Sequence, residues 1–118
     1  MIALPGGLPG ADHLRDDPRI ISLLKKMAAA GKYTAAICAA PKVLAEAGLL
    51  DGRRLTAYPG ALDAVRIPAA EYTGDPVEVD GRIITSRGPG TAMDFALALI
   101  ERLAGREKRD EVEAALQR

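Results

Sequence analysis

Cys38 is the residue whose type and setting best suit covalent chemistry. It is the only cysteine, it follows the apolar run Thr34-Ala35-Ala36-Ile37, and it lies three positions before Pro41. An apolar strand that meets a helix-opening proline predicts a strand–turn–helix elbow, which lifts a nucleophile out of a sheet. A helix N-terminus would also lower the pKa of the thiol. We therefore predict a reactive Cys38 held at positive φ, with a buried structural cysteine as the alternative.

A glycine turn supplies the second candidate feature. Residues 1–4 form a short apolar segment that ends in Pro5-Gly6-Gly7, which predicts a buried strand and a tight loop. In a parallel sheet this loop and the Cys38 elbow would meet at the carboxyl ends of their strands. The N–H groups of Gly7 and Ala39 could then form an oxyanion hole beside the sulfur. A purely structural turn is the alternative, because two consecutive glycines alone are a weak signal.

Two further segments could line such a site. His13 is the only histidine and is expected in the loop after Gly7, near the mouth of the site, where a solvated role is the alternative. The run from Ser86 to Thr91 joins a strand end to a helix start and could hold an anion through its N–H groups. Ser86 and Arg87 are therefore candidate substrate-binding residues, with a rigid turn and helix cap as the alternative.

Composition narrows the class of protein. The chain has 118 residues, enough for one domain, and 48% of them are hydrophobic, which allows a core. Lys+Arg and Asp+Glu are both 16 and aromatics are 3%, so nothing favours nucleic acid or an anionic membrane. No apolar run approaches the length of a membrane span. One cysteine excludes an internal disulfide and suits a cytoplasmic location. No ligand spacing predicts a metal, and no cofactor is expected.

Apolar periodicity and turn residues predict alternating strands and helices. Helices are expected over residues 18–30, 42–47, 91–104 and 107–116, strands over 34–37 and 55–58, and a β-hairpin over 77–86. This alternation predicts an α/β fold with a mostly parallel sheet and an added antiparallel hairpin.

Three ordered motifs, LPGG, AICAAP and TSRGPGTA, resemble the ThiJ/PfpI family, in particular its parkinsonism-associated deglycase subgroup. The resemblance implies a flavodoxin-like three-layer sandwich, a nucleophilic and oxidation-sensitive Cys38, and an oxyanion site from Gly7 and Ala39. It also implies a cofactor-independent glyoxalase or deglycase that acts on methylglyoxal-like α-oxoaldehydes or their early adducts. A redox-sensing or chaperone-like protein that uses oxidation of the same cysteine is the alternative.

Three departures from the family pattern shape these expectations. The family's first βαβ segment, with a glutamate beside the cysteine, has no counterpart here, so residues 1–118 are expected to form a partial domain with little or no glyoxalase activity by itself. Tyr58 stands where many members have a histidine, and it is a candidate substrate-binding residue. Ala39 stands where the protease-like branch has a histidine, which disfavours a cysteine peptidase. Members commonly form homodimers, and part of that interface belongs to the absent segment, so a dimer is left open.

Overall fold

The computed structural model describes all 118 residues, which form strands and helices joined by turns and loops. The strands are β1 (Ile2–Leu4), β2 (Thr34–Ile37), β3 (Arg54–Leu55), β4 (Glu71–Tyr72), β5 (Val77–Asp80) and β6 (Ile83–Ser86). The helices are α1 (Gly10–Arg15), α2 (Pro18–Ala29), α3 (Pro41–Glu46), α4 (Ala92–Ala104) and α5 (Arg106–Leu116), with a 3₁₀ turn over Pro89–Thr91. The predicted α/β class is confirmed.

The main sheet has the strand order β1-β2-β6-β5. β1 and β6 both pair with β2 in parallel, and β5 pairs with β6 antiparallel as the predicted hairpin. Leu4 lies opposite Ala36, and Ala36 lies opposite Thr85. Because parallel strands end at one edge, this register brings together the loops that follow β1, β2 and β6. The predicted meeting of the glycine turn and the Cys38 elbow is thereby confirmed.

β2 is apolar on both faces because both are covered. Ala36 belongs to the larger core cluster, which contains Leu24 of α2 and Leu44 of α3, whereas Ala35 packs with Phe95 of α4 on the other face. A strand buried on both sides is expected to lack polar alternation. The small side chains of β2 let helices pack closely against both faces of the sheet. The end of β2, from which Cys38 follows, is therefore held between two packed layers.

Two predicted elements differ from the structure. The stretch after Gly7 is not a loop but contains helix α1. The strand expected over residues 55–58 stops at Leu55, and β3 pairs with β4 in a separate two-stranded sheet. It stops because the next backbone donors go elsewhere: the N–H of Thr56 donates to Oγ1 of Thr85 at 3.0 Å, and that of Tyr58 donates to the carbonyl of Cys38.

No helix of the structure combines the length and the apolar character that a bilayer span needs. Nor does any group of three or more histidine, cysteine or acidic side chains lie together in a way that could hold a metal ion.

Asp17 caps the N-terminus of α2, the helix that contributes Leu24 to the core. Its Oδ1 accepts a hydrogen bond from the N–H of Arg19 at 2.9 Å, and its Oδ2 lies 2.8 Å from the guanidinium of the same residue. The side-chain hydrogen bond from Arg19, followed by the backbone one, lowers the pKa of Asp17 to about 2. The cap is therefore charged across the neutral and mildly acidic range.

The Asp17 cap generates a prediction about pH. Its folded pKa lies below the unfolded value of about 3.9, so its charge stabilises the fold above about pH 4, and that contribution fades as pH falls towards 2. Asp17→Ser keeps a capping oxygen without the charge. In urea unfolding, the wild type should be more stable than Asp17→Ser at neutral pH, and the gap should close on acidification. Asp17→Ala should be the least stable at neutral pH. A gap between wild type and Asp17→Ser that does not change with pH would contradict this account.

Candidate active site at the carboxyl edge of the sheet

Cys38 occupies a strained elbow between β2 and α3. Its φ is +64°, a value that non-glycine residues rarely adopt. The N–H of Cys38 donates to the carbonyl of Ser86 at 2.9 Å, and the Cys38 carbonyl accepts from the N–H of Tyr58 at 2.8 Å. The N–H of Ala40 closes the turn onto the carbonyl of Ile37 at 3.0 Å. The predicted positive φ is confirmed, and hydrogen bonds on both sides of the residue hold it.

The two glycines of the turn after β1 are needed for different reasons. A Cβ on Gly6 would lie 2.6 Å from the Cβ of Cys38 and 2.8 Å from the carbonyl oxygen of Ile37, closer than any real contact. Gly7 has open space around the same position, but its φ of +89° favours glycine. Gly6 thus permits the contact between the loop and the elbow, and Gly7 supplies the positive φ that the turn requires. In the sequence, only the pair of consecutive glycines after Pro5 indicated that Gly6 could have a special position.

The thiol lies in a cavity of about 490 Å³ at this edge of the sheet. It is lined by Gly7, Leu8, Cys38, Ala39, Lys42, Tyr58, Pro59, Gly60 and Ala61. Cys38 is partly exposed to it. The structure therefore brings together four of the predicted site residues: Gly7, Cys38, Ala39 and Tyr58.

The backbone N–H groups of Gly7 and Ala39 make no hydrogen bond within the chain. Most backbone donors in a folded protein have a partner, so two free donors on the wall of one cavity are notable. Such donors can bind the negative oxygen that forms when a nucleophile adds to a carbonyl. Their arrangement suits the predicted oxyanion role.

Tyr58 lies on the wall of the cavity with about half of its surface exposed, 52%. Its backbone is fixed by the bond to Cys38, and its ring lies under Gly88, where a Cβ would meet the ring carbon at 3.4 Å. The phenol can donate a hydrogen bond, but a phenol is a poor base at neutral pH.

Three other candidates lie outside the cavity. His13 is on α1 and does not line it, in contrast to the expected position at the mouth of the site. Ser86 is fully buried, and its hydroxyl donates to the carbonyl of Pro76 at 2.7 Å and contacts Oγ1 of Thr91 at 2.6 Å. Arg87 donates to the carbonyl of Gly74 and lines a neighbouring cavity that shares Tyr58.

The loop that follows β6 is a hydrogen-bonded turn in which three of the N–H groups that could have bound an anion are already paired. The N–H of Arg87 donates to the carbonyl of Pro76, the N–H of Gly88 to Oγ1 of Thr91, and the N–H of Thr91 to the carbonyl of Gly88. Because these donors are used internally, they are not free for a ligand. The alternative of a turn and helix cap is the one that the hydrogen bonds describe, and Ser86 supports this loop.

Lys42 is a member of the cavity that sequence reasoning missed. Its side chain is only 12% exposed, and its Nζ lies 2.7 Å from Oδ1 of Asp12. This hydrogen bond is the main reason that the pKa of Asp12 lies below its usual value. Asp12 also lies 3.4 Å from the guanidinium of Arg15. The partners are far apart in sequence, so only the position of Lys42 directly after Pro41 could have drawn attention to it.

Comparison with known proteins identifies one family model and a group of similar proteins from that family. The model of the DJ-1/PfpI family matches residues 1–102. Protein DJ-1 homolog A of Arabidopsis thaliana is 44% identical over 98% of the chain and 30% of its own length. The glutathione-independent glyoxalase DJR-1.2 of Caenorhabditis elegans is 41% identical over 92% of the chain and 57% of its own length. The chain thus spans less than two thirds of these relatives.

Solved structures confirm the predicted flavodoxin-like fold. The crystal structure of Drosophila melanogaster DJ-1beta has a TM-score of 0.89 at 44% identity, covering 98% of the chain and 62% of that protein. The oxidised form of Toxoplasma gondii DJ-1 has a TM-score of 0.86 at 42% identity, covering 95% of the chain and 60% of that protein.

The contact between Gly6 and Cys38 generates a prediction about the site. Gly6→Ala places a Cβ against the elbow, so it should lower the free energy of unfolding by roughly 1–3 kcal/mol, as overpacking does. It should also change the rate at which Cys38 reacts with a neutral thiol reagent. Gly10→Ala is the matched control, because nothing lies within 4 Å of its Cβ position. Equal stability and thiol reactivity in both variants would show that the close approach does not fix the elbow.

Proposed function

The chain belongs to the DJ-1/PfpI family, and on that premise we propose that it takes part in the removal of α-oxoaldehydes such as methylglyoxal, or of their early adducts, with Cys38 as the nucleophile. One relative bears the name of a glutathione-independent glyoxalase. The single observation that carries the proposal is the cavity that Cys38 shares with Gly7 and Ala39, whose backbone N–H groups make no hydrogen bond within the chain.

The first step is the addition of the thiolate to the aldehyde carbon. A bond forms between Sγ of Cys38 and that carbon, and the π electrons of the carbonyl move onto its oxygen. The N–H groups of Gly7 and Ala39 would stabilise the oxyanion, which then takes up a proton to give a hemithioacetal. Donors that are already free need not break another bond when the charge appears, so little reorganisation is required.

The second step moves protons. The hydrogen on the former aldehyde carbon leaves as a proton and the neighbouring carbon gains one, while the hydroxyl proton of the hemithioacetal is lost and the former ketone oxygen is protonated. Water then cleaves the resulting thioester to a 2-hydroxy acid and the thiol. No carboxylate or imidazole lines the cavity, and Tyr58 is a poor base. The 118 residues therefore supply the addition chemistry, and we expect their turnover to be slow.

Oxidation of Cys38 is the second candidate function. The thiol is partly exposed beside two free N–H donors, and a similar protein has been solved in an oxidised form. A thiolate that attacks a peroxide becomes a sulfenate as the O–O bond breaks and water or an alcohol leaves, and a second peroxide gives a sulfinate. The same N–H groups of Gly7 and Ala39 would bind the sulfinate oxygens.

The proposed function predicts a Cys38 adduct with methylglyoxal. Incubation of the chain with ¹³C-labelled methylglyoxal should produce the ¹³C NMR signal of a hemithioacetal, and Cys38→Ala should abolish it. The amount of 2-hydroxy acid formed should stay small. Matched samples treated with hydrogen peroxide, with the mass of Cys38 as the readout, would measure the oxidation route.

The outcomes separate the two candidates. An adduct in the wild type alone supports the aldehyde chemistry. A chain whose Cys38 is oxidised readily but forms no hemithioacetal would favour the redox function and contradict the proposed one. Adducts confined to lysine and arginine side chains, equal in Cys38→Ala, would contradict it as well.

A further inference from the structure

Lys42 is the only residue with a charged side chain that lines the Cys38 cavity. Apart from the thiol and the phenol of Tyr58, the other lining residues are glycine, alanine, leucine and proline. A cation in a mostly apolar cavity interacts more strongly with a ligand oxygen than it would in water. Lys42 therefore supplies the one charged side chain among the residues that share a cavity with Cys38.

The ammonium of Lys42 is held in place and keeps unused donors. Its side chain is 12% exposed, and Nζ makes one hydrogen bond, to Oδ1 of Asp12 at 2.7 Å. An ammonium has three N–H donors, so two remain without a partner in the chain. Asp12 does not line the cavity, and its carboxylate is also close to Arg15. The carboxylate thus anchors the ammonium through a residue outside the cavity lining, and two donors of Lys42 are left for a ligand.

An α-oxoaldehyde has two adjacent carbonyl oxygens, and the oxyanion hole accounts for only one of them. When the thiolate adds to the aldehyde carbon, that oxygen would lie at the N–H groups of Gly7 and Ala39. The neighbouring ketone oxygen needs a donor of its own, above all when loss of the adjacent proton places negative charge on it. Among the lining residues, Lys42 is the one that offers a charged donor.

We propose that the Lys42 ammonium, positioned by Asp12, binds the second carbonyl oxygen of the substrate and thereby makes the cavity selective for vicinal dicarbonyls over simple aldehydes. This inference rests on the proposed function. Lys42 stays protonated throughout and forms no covalent bond. Asp12 acts only through Lys42 and is a positioning residue.

The test compares two aldehydes that differ in the second oxygen. The dissociation constants of the Cys38 hemithioacetals with ¹³C-labelled methylglyoxal and propanal are measured by NMR. Lys42→Met should weaken the methylglyoxal adduct roughly tenfold or more, as expected for the loss of a charged hydrogen bond, and leave the propanal adduct within about twofold. Lys42→Arg should retain much of the preference. Lys108→Met, which removes a surface ion pair with Glu111 on α5, should change neither constant.

Two outcomes would overturn the inference. One is an unchanged methylglyoxal constant in Lys42→Met, and the other is an equal loss for both aldehydes, which would indicate a structural role. If Lys42→Met proves less stable because Asp12 loses its partner, Asp12→Asn/Lys42→Met removes the carboxylate charge as well. That double variant should show the same selective loss of the methylglyoxal adduct, and an unchanged constant in it would also overturn the inference.

A second measurement keeps this inference separate from the proposed function. Cys38 is alkylated with iodoacetate and with iodoacetamide, which differ in the charge of one group. Lys42→Met should lower the ratio of the iodoacetate rate to the iodoacetamide rate several-fold, whereas Lys108→Met should not. If wild-type Cys38 forms no hemithioacetal, the proposed function is wrong. The role of Lys42 in substrate binding is then wrong as well, even if the alkylation ratio falls in Lys42→Met. A ratio that does not change shows instead that Lys42 offers no charge to the cavity, whatever the aldehyde results.

Discussion

The close approach of the Gly6 backbone to Cys38 is the contact on which the rest of the site depends. β1 and β2 run parallel with Leu4 opposite Ala36, so the chain leaves both strands at the same level of the sheet. The two loops then touch, and the space that a Cβ on Gly6 would need is already filled by the elbow. A register shift of one residue would exchange the buried faces of β1 and separate the loops. The buried faces of the sheet therefore fix the geometry at its edge.

The strain at Cys38 is retained because several interactions hold the same residue. β6 accepts its N–H through Ser86, and the N–H of Tyr58 binds its carbonyl, so relaxation of φ would break both bonds. A positive φ in a non-glycine residue is costly and persists only where the surroundings over-determine it. The same turn leaves the N–H groups of Gly7 and Ala39 without partners. The fold thus maintains a strained cysteine and two unpaired backbone donors among the residues of one cavity, and the proposed carbonyl chemistry depends on this combination.

The parts of the site that sequence could predict are those set by local pattern. The apolar run before Cys38, the proline after it and the glycine turn after β1 each act within a few residues, and they located Gly7, Cys38 and Ala39. Lys42 and Asp12 were missed because their ion pair joins helices separated by thirty positions in the chain. β3 was overestimated because the donors that should have continued it bind Thr85 and Cys38 instead. A local sequence pattern therefore does not predict a hydrogen bond whose partner is brought into place by the tertiary structure.

Amide proton NMR can detect whether the N–H groups of Gly7 and Ala39 bind the oxygen formed when an aldehyde adds to Cys38. The ¹⁵N-labelled chain is titrated with methylglyoxal, and the amide shifts are followed as the adduct forms. We expect large downfield shifts of the Gly7 and Ala39 amide protons, with little change for Ala40, whose N–H already donates to the carbonyl of Ile37. An adduct on Cys38 that leaves the Gly7 and Ala39 amides where they were would contradict the account.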